Sequence, residues 1–121
     1  MEVYRLVCQV GYELLLVWVV WQYVVVGEVL FRRVLAHSPE MMLVEHRMQR
    51  SWVGARHSHP HQQVVYVLCG RVRFDLGERS FDLRAGDSLI VPGGVEHGAR
   101  ALEASIVLDV FTPARNEYLE S

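Results

Sequence analysis

Short apolar segments separated by turn residues fill most of the chain after residue 27. Glycine or proline stands close to the end of most of these segments, which marks turns between strands. Short strands at such regular spacing predict an all-β sandwich or barrel. A single helical turn is expected in the tail, at residues 114–119. The predicted strands cover residues 29–35, 41–50, 63–69, 72–76, 80–83, 88–91 and 104–111.

Size, charge and cysteine content exclude several classes of protein. The chain has 121 residues, which is the size of one domain, and its 51% hydrophobic content excludes a disordered chain. A formal net charge of −2 argues against a nucleic-acid binder, which usually carries a basic face. Cys8 and Cys69 lie far apart and predict reduced thiols in a cytoplasmic protein.

The most apolar segment covers residues 14–26. It lies between Glu13 and Glu28, is interrupted by Gln22, and falls short of the roughly 20 apolar residues that span a bilayer. Because valine and aromatic residues favour strands, we interpret residues 1–26 as an extension that forms one or two strands at a homodimer interface or is partly disordered. The barrel then occupies residues 27–121. A membrane span is the alternative, although we expect no membrane partner.

Histidines cluster at residues 57–61. In an extended strand, His57 and His59 point to the same side, and Gln63 has the same parity. His97 follows a Pro-Gly-Gly turn further along the chain. Three imidazoles and one amide oxygen suit a divalent metal ion such as Ni, Zn, Mn or Fe. The alternative for His57 and His59 is a histidine-rich surface loop, and His61 is expected to hydrogen-bond near the site or to face solvent.

The residues around these histidines resemble the two sequence motifs of the cupin superfamily. The first motif is matched by His57, His59, Gln63 and Gly70. The second motif is matched by Gly86, Pro92, Gly94 and His97. The resemblance implies a single cupin barrel, which is a double-stranded β-helix of jelly-roll type. Gln63 stands where the superfamily has an acidic ligand, so a bound metal ion keeps its full positive charge and suits an anionic ligand.

The last predicted strand contains a lone carboxylate, Asp109. By parity, Val107, Asp109 and Phe111 share one face. That face is either a solvated edge or the barrel interior, where the carboxylate is a candidate general base or acid. Arg115 is a candidate partner for a substrate carboxylate, and its alternative is a solvated charge in the tail.

Most of the chain, from about residue 32 to residue 119, resembles the KdgF family of pectin-degradation cupins. The resemblance is carried by residues 57–68, 107–115 and 118–119. It implies linearisation of 4,5-unsaturated monouronates to 5-keto-4-deoxyuronates. In that family three histidines and a glutamine hold the metal, and the matching residues here are His57, His59, His97 and Gln63. The family's catalytic aspartate, neighbouring phenylalanine and arginine match Asp109, Phe111 and Arg115.

These observations predict a metal-dependent enzyme that acts on a small anionic sugar acid, with no nucleic-acid partner. A non-catalytic metal-containing cupin that binds sugars is one alternative. A cupin isomerase or dioxygenase acting on another small molecule is a second alternative, and Gln63 is a poor ligand for the oxygenase case.

Overall fold

The computed structural model describes residues 24–25 and 30–119 of the chain. These residues form ten strands and one short 3-10 helix, Asn116–Leu119, which confirms the helical turn predicted for the tail. The strands are β1 (Val24–Val25), β2 (Leu30–Ser38), β3 (Met41–Met48), β4 (Val53–His57), β5 (Gln62–Cys69), β6 (Arg71–Leu76), β7 (Arg79–Arg84), β8 (Ser88–Val91), β9 (His97–Ala101) and β10 (Ser105–Thr112).

The strands form two antiparallel sheets. One sheet has the order β1-β2-β3-β10-β5-β8, and the other has the order β4-β9-β6-β7. Because side chains alternate along a strand, each sheet contributes apolar side chains to an interior that both sheets share. This arrangement confirms the predicted all-β fold. The main core consists of Leu30, Met48, Val65, Val67, Val72, Phe74, Leu83, Val91, Ala101 and Val107.

Strand β10 lies in the middle of the larger sheet, paired with β3 on one side and β5 on the other. A central strand forms hydrogen bonds along both edges, so its position is well fixed. The side chains of Val107, Asp109 and Phe111 all point inward, with exposed fractions of 2%, 4% and 1%. The fold therefore carries Asp109 into the interior rather than to a solvated edge.

Two strands, β4 and β9, are absent from the sequence-based prediction. Both contain glycine and arginine where a strand pattern has apolar residues, so periodicity gives no signal for them. They pair with each other, and the last residue of β4, His57, lies opposite the first residue of β9, His97. The strands that the sequence pattern does not predict are thus the two that present these histidines.

The predicted N-terminal extension, residues 1–26, lies outside the described residues except for Val24 and Val25, whose backbone pairs with β2. The homodimer interface that we assigned to it remains a prediction. No helix within residues 30–119 has the length and hydropathy needed to cross a membrane. Cys69 is disulfide-bonded, so the expectation of a reduced thiol is wrong for this residue.

The turn from β5 to β6 requires glycine. Gly70 has φ +94°, and a Cβ at this position would collide with Ser105 and with the backbone of Ala104. Gly77 has φ +59° but nothing within 4 Å of the equivalent position. Substitution of Gly77 therefore measures the free-energy cost of the backbone conformation, and substitution of Gly70 adds the cost of the collision.

We expect Gly70→Ala to lower the free energy of unfolding by about 2–4 kcal/mol, because it combines an unfavourable φ with overpacking. Gly77→Ala is the matched control and is expected to cost only about 1 kcal/mol, since it changes the backbone cost alone. Urea denaturation of both variants measures the difference. Equal losses of stability in the two variants would contradict this account of Gly70.

Candidate metal centre and active-site cavity

A cavity of about 400 Å³ lies between the two sheets. Apolar side chains such as Val65, Val72 and Phe74 form much of its wall. Its polar groups come from both sheets and from the C-terminal tail, and the whole lining includes every site residue predicted from the sequence except His59. The ionisable and amide side chains that line the cavity are Arg32, His46, His57, Gln63, His97, Asp109, Arg115 and Tyr118.

Three histidines converge at this cavity. His57, His59 and His97 each offer a ligand atom, and these atoms all lie within 4.8 Å of one another. The prediction from parity that His57 and His59 share a strand is wrong, because His57 ends β4 and His59 lies in the connection to β5. The cluster forms because that connection returns the chain toward His97, whose ring centroid is 4.7 Å from that of His59.

Hydrogen bonds to the backbone orient all three imidazoles. Nδ1 of His57 lies 3.0 Å from the carbonyl oxygen of Ala55, and Nδ1 of His97 lies 2.9 Å from that of Val95. Nδ1 of His59 lies 3.0 Å from the carbonyl oxygen of His61. Because a carbonyl oxygen can only accept, each Nδ1 carries the hydrogen, and Nε2 of the neutral ring keeps a free lone pair. This is the tautomer that metal-ligating histidines adopt.

Gln63 completes the cluster with its amide oxygen. The side-chain nitrogen of Gln63 donates to Oδ1 of Asp109 at 2.8 Å, which directs Oε1 toward Nε2 of His59 at 3.1 Å. Oε1 of Gln63 and Nε2 of neutral His59 are both acceptors, so a shared cation or a proton on His59 relieves their repulsion at this distance. The donor set of three imidazole nitrogens and one amide oxygen therefore fits a divalent metal ion.

Burial favours the neutral form of two of these histidines. The pKa of His59 is lowered, first by burial and then by the charges of Arg115 and His97. Burial also lowers the pKa of His97, and the neighbouring His57 adds to the effect. A lowered histidine pKa keeps the ring unprotonated at neutral pH, and the unprotonated ring is the form that binds metal.

His61 contributes to the site through its backbone. Its carbonyl oxygen accepts the hydrogen bond from His59, whereas its ring is not part of the group of three metal-ligating histidines. The ring centroid lies 5.4 Å from that of His59 and 6.4 Å from that of Phe111. The structure thus favours the expectation that His61 hydrogen-bonds near the site, which it does through its backbone carbonyl.

Asp109 is fixed by hydrogen bonds at both oxygens. Oδ1 accepts from Gln63, and Oδ2 lies 2.7 Å from Nδ1 of His46. The carboxylate is therefore held beside the histidine cluster. The alternative of a solvated edge position is wrong for this residue.

His46 and Arg32, which neither sequence motif includes, extend this network. Nε of Arg32 donates to Nε2 of His46 at 3.0 Å, so the hydrogen of the neutral ring is on Nδ1 and points at Asp109. The sequence does contain a signal for His46, which has the same parity as Val44 and Met48 in the predicted strand at residues 41–50. A polar residue on the inner face of a strand is a candidate site residue. Arg32 lies directly opposite His46 in the neighbouring strand.

Arg115, Phe111 and Tyr118 form the end of the cavity near the tail. The side chain of Arg115 is 15% exposed, and its Nε donates to Glu117 at 2.8 Å. Its guanidinium carbon lies 4.3 Å from the ring centroid of Tyr118 and 5.1 Å from that of Phe111. Phe111 also packs edge-on against His59, with the centroids 5.8 Å apart. Arg115 thus lines the cavity and is not a solvated charge in the tail.

Comparison with known proteins identifies the family. Residues 44–111 match the family described as "Cupin domain", and these residues are more than half of the chain. This chain belongs to the cupin family. The match contains the three histidines, Gln63 and Asp109, so the candidate metal centre and its neighbouring carboxylate lie within the family's own domain. A comparison with curated proteins finds no match.

Solved structures agree with this assignment. KdgF from Halomonas sp. is 35% identical with a TM-score of 0.77, and the match covers 79% of this cupin and 91% of KdgF. An RmlC-like cupin from Shewanella frigidimarina is 34% identical, also with a TM-score of 0.77, and the match covers 79% of this cupin and 86% of that protein. These two similarities confirm the resemblance to KdgF.

A more distant similarity shows the fold alone. Oxalate decarboxylase from Bacillus subtilis, described with Mn(II) centres, is 24% identical with a TM-score of 0.67. The match covers 74% of this cupin and 27% of the decarboxylase. The candidate metal centre of this cupin rests on its own three histidines.

Proposed function

We propose that this cupin linearises 4,5-unsaturated monouronates with the help of a divalent metal ion. The observation that carries the proposal is the buried carboxylate of Asp109, held by Gln63 next to three metal-ligating histidines. The similarity to KdgF over most of both chains supports it. The cavity of about 400 Å³ is large enough for one sugar ring.

The reaction rearranges the substrate without oxidation or reduction. An unsaturated monouronate is a cyclic hemiacetal whose ring oxygen is attached to a carbon–carbon double bond. The anomeric hydroxyl loses its proton, the bond from the anomeric carbon to the ring oxygen breaks, and the ring oxygen departs as an enolate. Protonation of the neighbouring carbon then gives the linear ketone. The proton removed in the first step balances the proton added in the last step.

In this proposal Asp109 moves the proton. It takes the proton from the anomeric hydroxyl as general base and delivers a proton to the carbon as general acid. Hydrogen bonds from Gln63 and His46 fix both oxygens and so restrict the directions from which the carboxylate meets the substrate. A bound divalent metal ion, held by His57, His59, His97 and Gln63, would supply positive charge for the developing enolate.

Arg115 and Phe111 hold and shield the substrate in this proposal. The guanidinium of Arg115 lines the cavity, where it can bind the substrate carboxylate through two parallel hydrogen bonds. The ring of Phe111 is 1% exposed and packs against His59. It therefore keeps water away from one side of the metal centre.

Proton NMR of the reaction mixture tests the proposed function. With metal-loaded cupin and unsaturated galacturonate, we expect the signals of the ring to disappear and those of the open-chain keto product to replace them faster than in buffer. A cupin that binds the sugar without converting it would shift or broaden the ring signals and leave their intensity unchanged. That outcome would support the alternative of a non-catalytic sugar-binding cupin.

A further inference from the structure

The proposed mechanism uses Asp109 and its bond to His46, but it gives no role to Arg32, which completes the hydrogen-bonded series Arg32–His46–Asp109. We propose that Arg32 is a second binding residue for an anionic substrate and that, through His46, it also positions Asp109. The inference rests on the proposed function for the class of ligand, a sugar acid, and for the role of Asp109. It concerns residues that neither sequence motif includes.

Arg32 is a partly buried cation that lacks a carboxylate partner among the described residues. No acidic side chain in residues 30–119 lies within salt-bridge distance of it. Its guanidinium carbon lies 3.6 Å from the ring centroid of Tyr118, against which Arg115 also packs. Burial lowers the pKa of Arg32, and the charge of Arg115 lowers it further. Two guanidinium groups that line one cavity repel each other, so an anion bound in that cavity stabilises both.

The orientation of Arg32 leaves its terminal nitrogens for a ligand. Within the described residues its one protein hydrogen bond runs from Nε to His46, and its side chain lines the cavity. The two terminal nitrogens of a guanidinium form a fork that matches a carboxylate. The same is true of Arg115, which also uses Nε for a protein contact, with Glu117. Arg32 therefore offers a second fork for an anionic group of a sugar acid bound in the same cavity.

The bond from Arg32 to His46 also has a consequence for Asp109. Because Nε2 of His46 accepts from Arg32, the lone pair of the ring is occupied and His46 offers only its Nδ1–H to Asp109. In this state His46 holds the carboxylate without taking its proton. A proton that Asp109 removes from the substrate therefore stays available for return to the carbon. His46 is a positioning residue in this account, since it acts through Asp109.

A binding experiment tests the role of Arg32 without depending on turnover. Metal-loaded cupin is titrated calorimetrically with galacturonate, which lacks the double bond, and with galactose, its neutral counterpart. We expect Arg32→Gln to raise the Kd for galacturonate about tenfold or more, as expected for loss of a charge-assisted hydrogen bond, and to leave the Kd for galactose unchanged. Arg73→Gln, at an exposed position of β6, is the matched control and is expected to change neither Kd.

A kinetic comparison tests the role of His46. The side-chain nitrogen of asparagine can replace Nδ1 of histidine as donor, so His46→Asn keeps the bond to Asp109 and His46→Leu removes it. We expect His46→Leu to lower kcat for the unsaturated uronate about tenfold or more, and His46→Asn to restore most of kcat. A purely structural role would lower thermal stability in both variants without this rescue.

The outcomes separate this inference from the proposed function. Arg32-dependent preference for galacturonate over galactose supports the binding role of Arg32 even if the wild type does not linearise the uronate, in which case the proposed function alone fails. If the wild type linearises the uronate and Arg32→Gln leaves the Kd for galacturonate unchanged, this inference is wrong and the proposed function stands. Equal binding of galacturonate and galactose by the wild type also overturns it, as does an equal loss of kcat in both His46 variants.

Discussion

Replacing Asp109 with asparagine is expected to slow linearisation of an unsaturated monouronate by about 10²–10⁴-fold, which is the usual contribution of a general acid–base group. Asparagine keeps the size of the side chain but cannot take up a proton from the anomeric hydroxyl. Both oxygens of Asp109 accept hydrogen bonds in the structure. In the variant, the NH₂ group of asparagine faces either Gln63 or His46, both of which are donors. Because a donor then lies opposite a donor, the side chain also changes position.

The Asp109→Asn variant has a clear control in its metal content. The three histidines and Gln63 are unchanged, so elemental analysis is expected to find as much metal as in the wild type. Asp82→Asn is the matched substitution, because Asp82 is exposed and pairs with Arg71 on the outer surface. It is expected to retain full activity. Activity of Asp109→Asn within a few-fold of the wild type, at equal metal content, would exclude Asp109 as the proton-transfer group.

Removal of one metal-ligating imidazole is expected to slow linearisation at least as much as Asp109→Asn does. His97→Ala deletes a ligand that is 4% exposed and lies between two others. We expect its metal affinity to fall about 100-fold or more and its activity to fall to the spontaneous rate after dialysis. The estimate follows from the 10–100-fold loss seen when even an outer partner of a ligand is removed. Elemental analysis and the rate of linearisation on the same sample measure both effects.

His37→Ala is the control for this variant, because His37 is an exposed histidine of β2. It is expected to keep both metal and activity. The wild type treated with a chelator is expected to behave like His97→Ala and to recover when a divalent metal ion is added back. Full metal content in His97→Ala would show that the metal, if present, is held elsewhere.

Substitution of Gln63 tests the role of its amide in activity separately from its role as a metal ligand. In Gln63→Glu a carboxylate replaces the amide that donates to Asp109 at 2.8 Å. Two carboxylates at this distance repel each other, and one of them takes up a proton at neutral pH. We expect this variant to keep its metal and to lose most of its activity, as measured by the same two assays. Full activity in Gln63→Glu would mean that the amide has no role beyond that of a ligand.

Much of the fold could be predicted from the sequence because its strands are short, apolar and bounded by turn residues. Segments such as Ser88–Val91 and Arg71–Leu76 were predicted closely, since a glycine or proline stands near them. Strands β4 and β9 could not be predicted, because their glycines, arginines and histidines break the apolar pattern. Their pairing depends on contacts between distant parts of the chain.

The candidate metal ligands could be predicted from motif spacing, but their hydrogen-bonding partners could not. The backbone carbonyls of Ala55 and Val95 orient two of the imidazoles, and a carbonyl has no signature in the sequence. His46 and Arg32 lie far from Asp109 along the chain and meet it only through strand pairing. The parity of Asp109 was predicted, and the structure was needed to choose between interior and edge.

The decay of the ultraviolet absorbance of unsaturated galacturonate is the most direct test of the central claim. The carbon–carbon double bond conjugated to the carboxylate absorbs, and its loss on ketonisation reports linearisation in real time. The account predicts that metal-loaded wild-type cupin removes this absorbance faster than buffer, in proportion to protein concentration. A decay equal to the spontaneous rate, in protein shown to contain one metal ion per chain, would contradict the account.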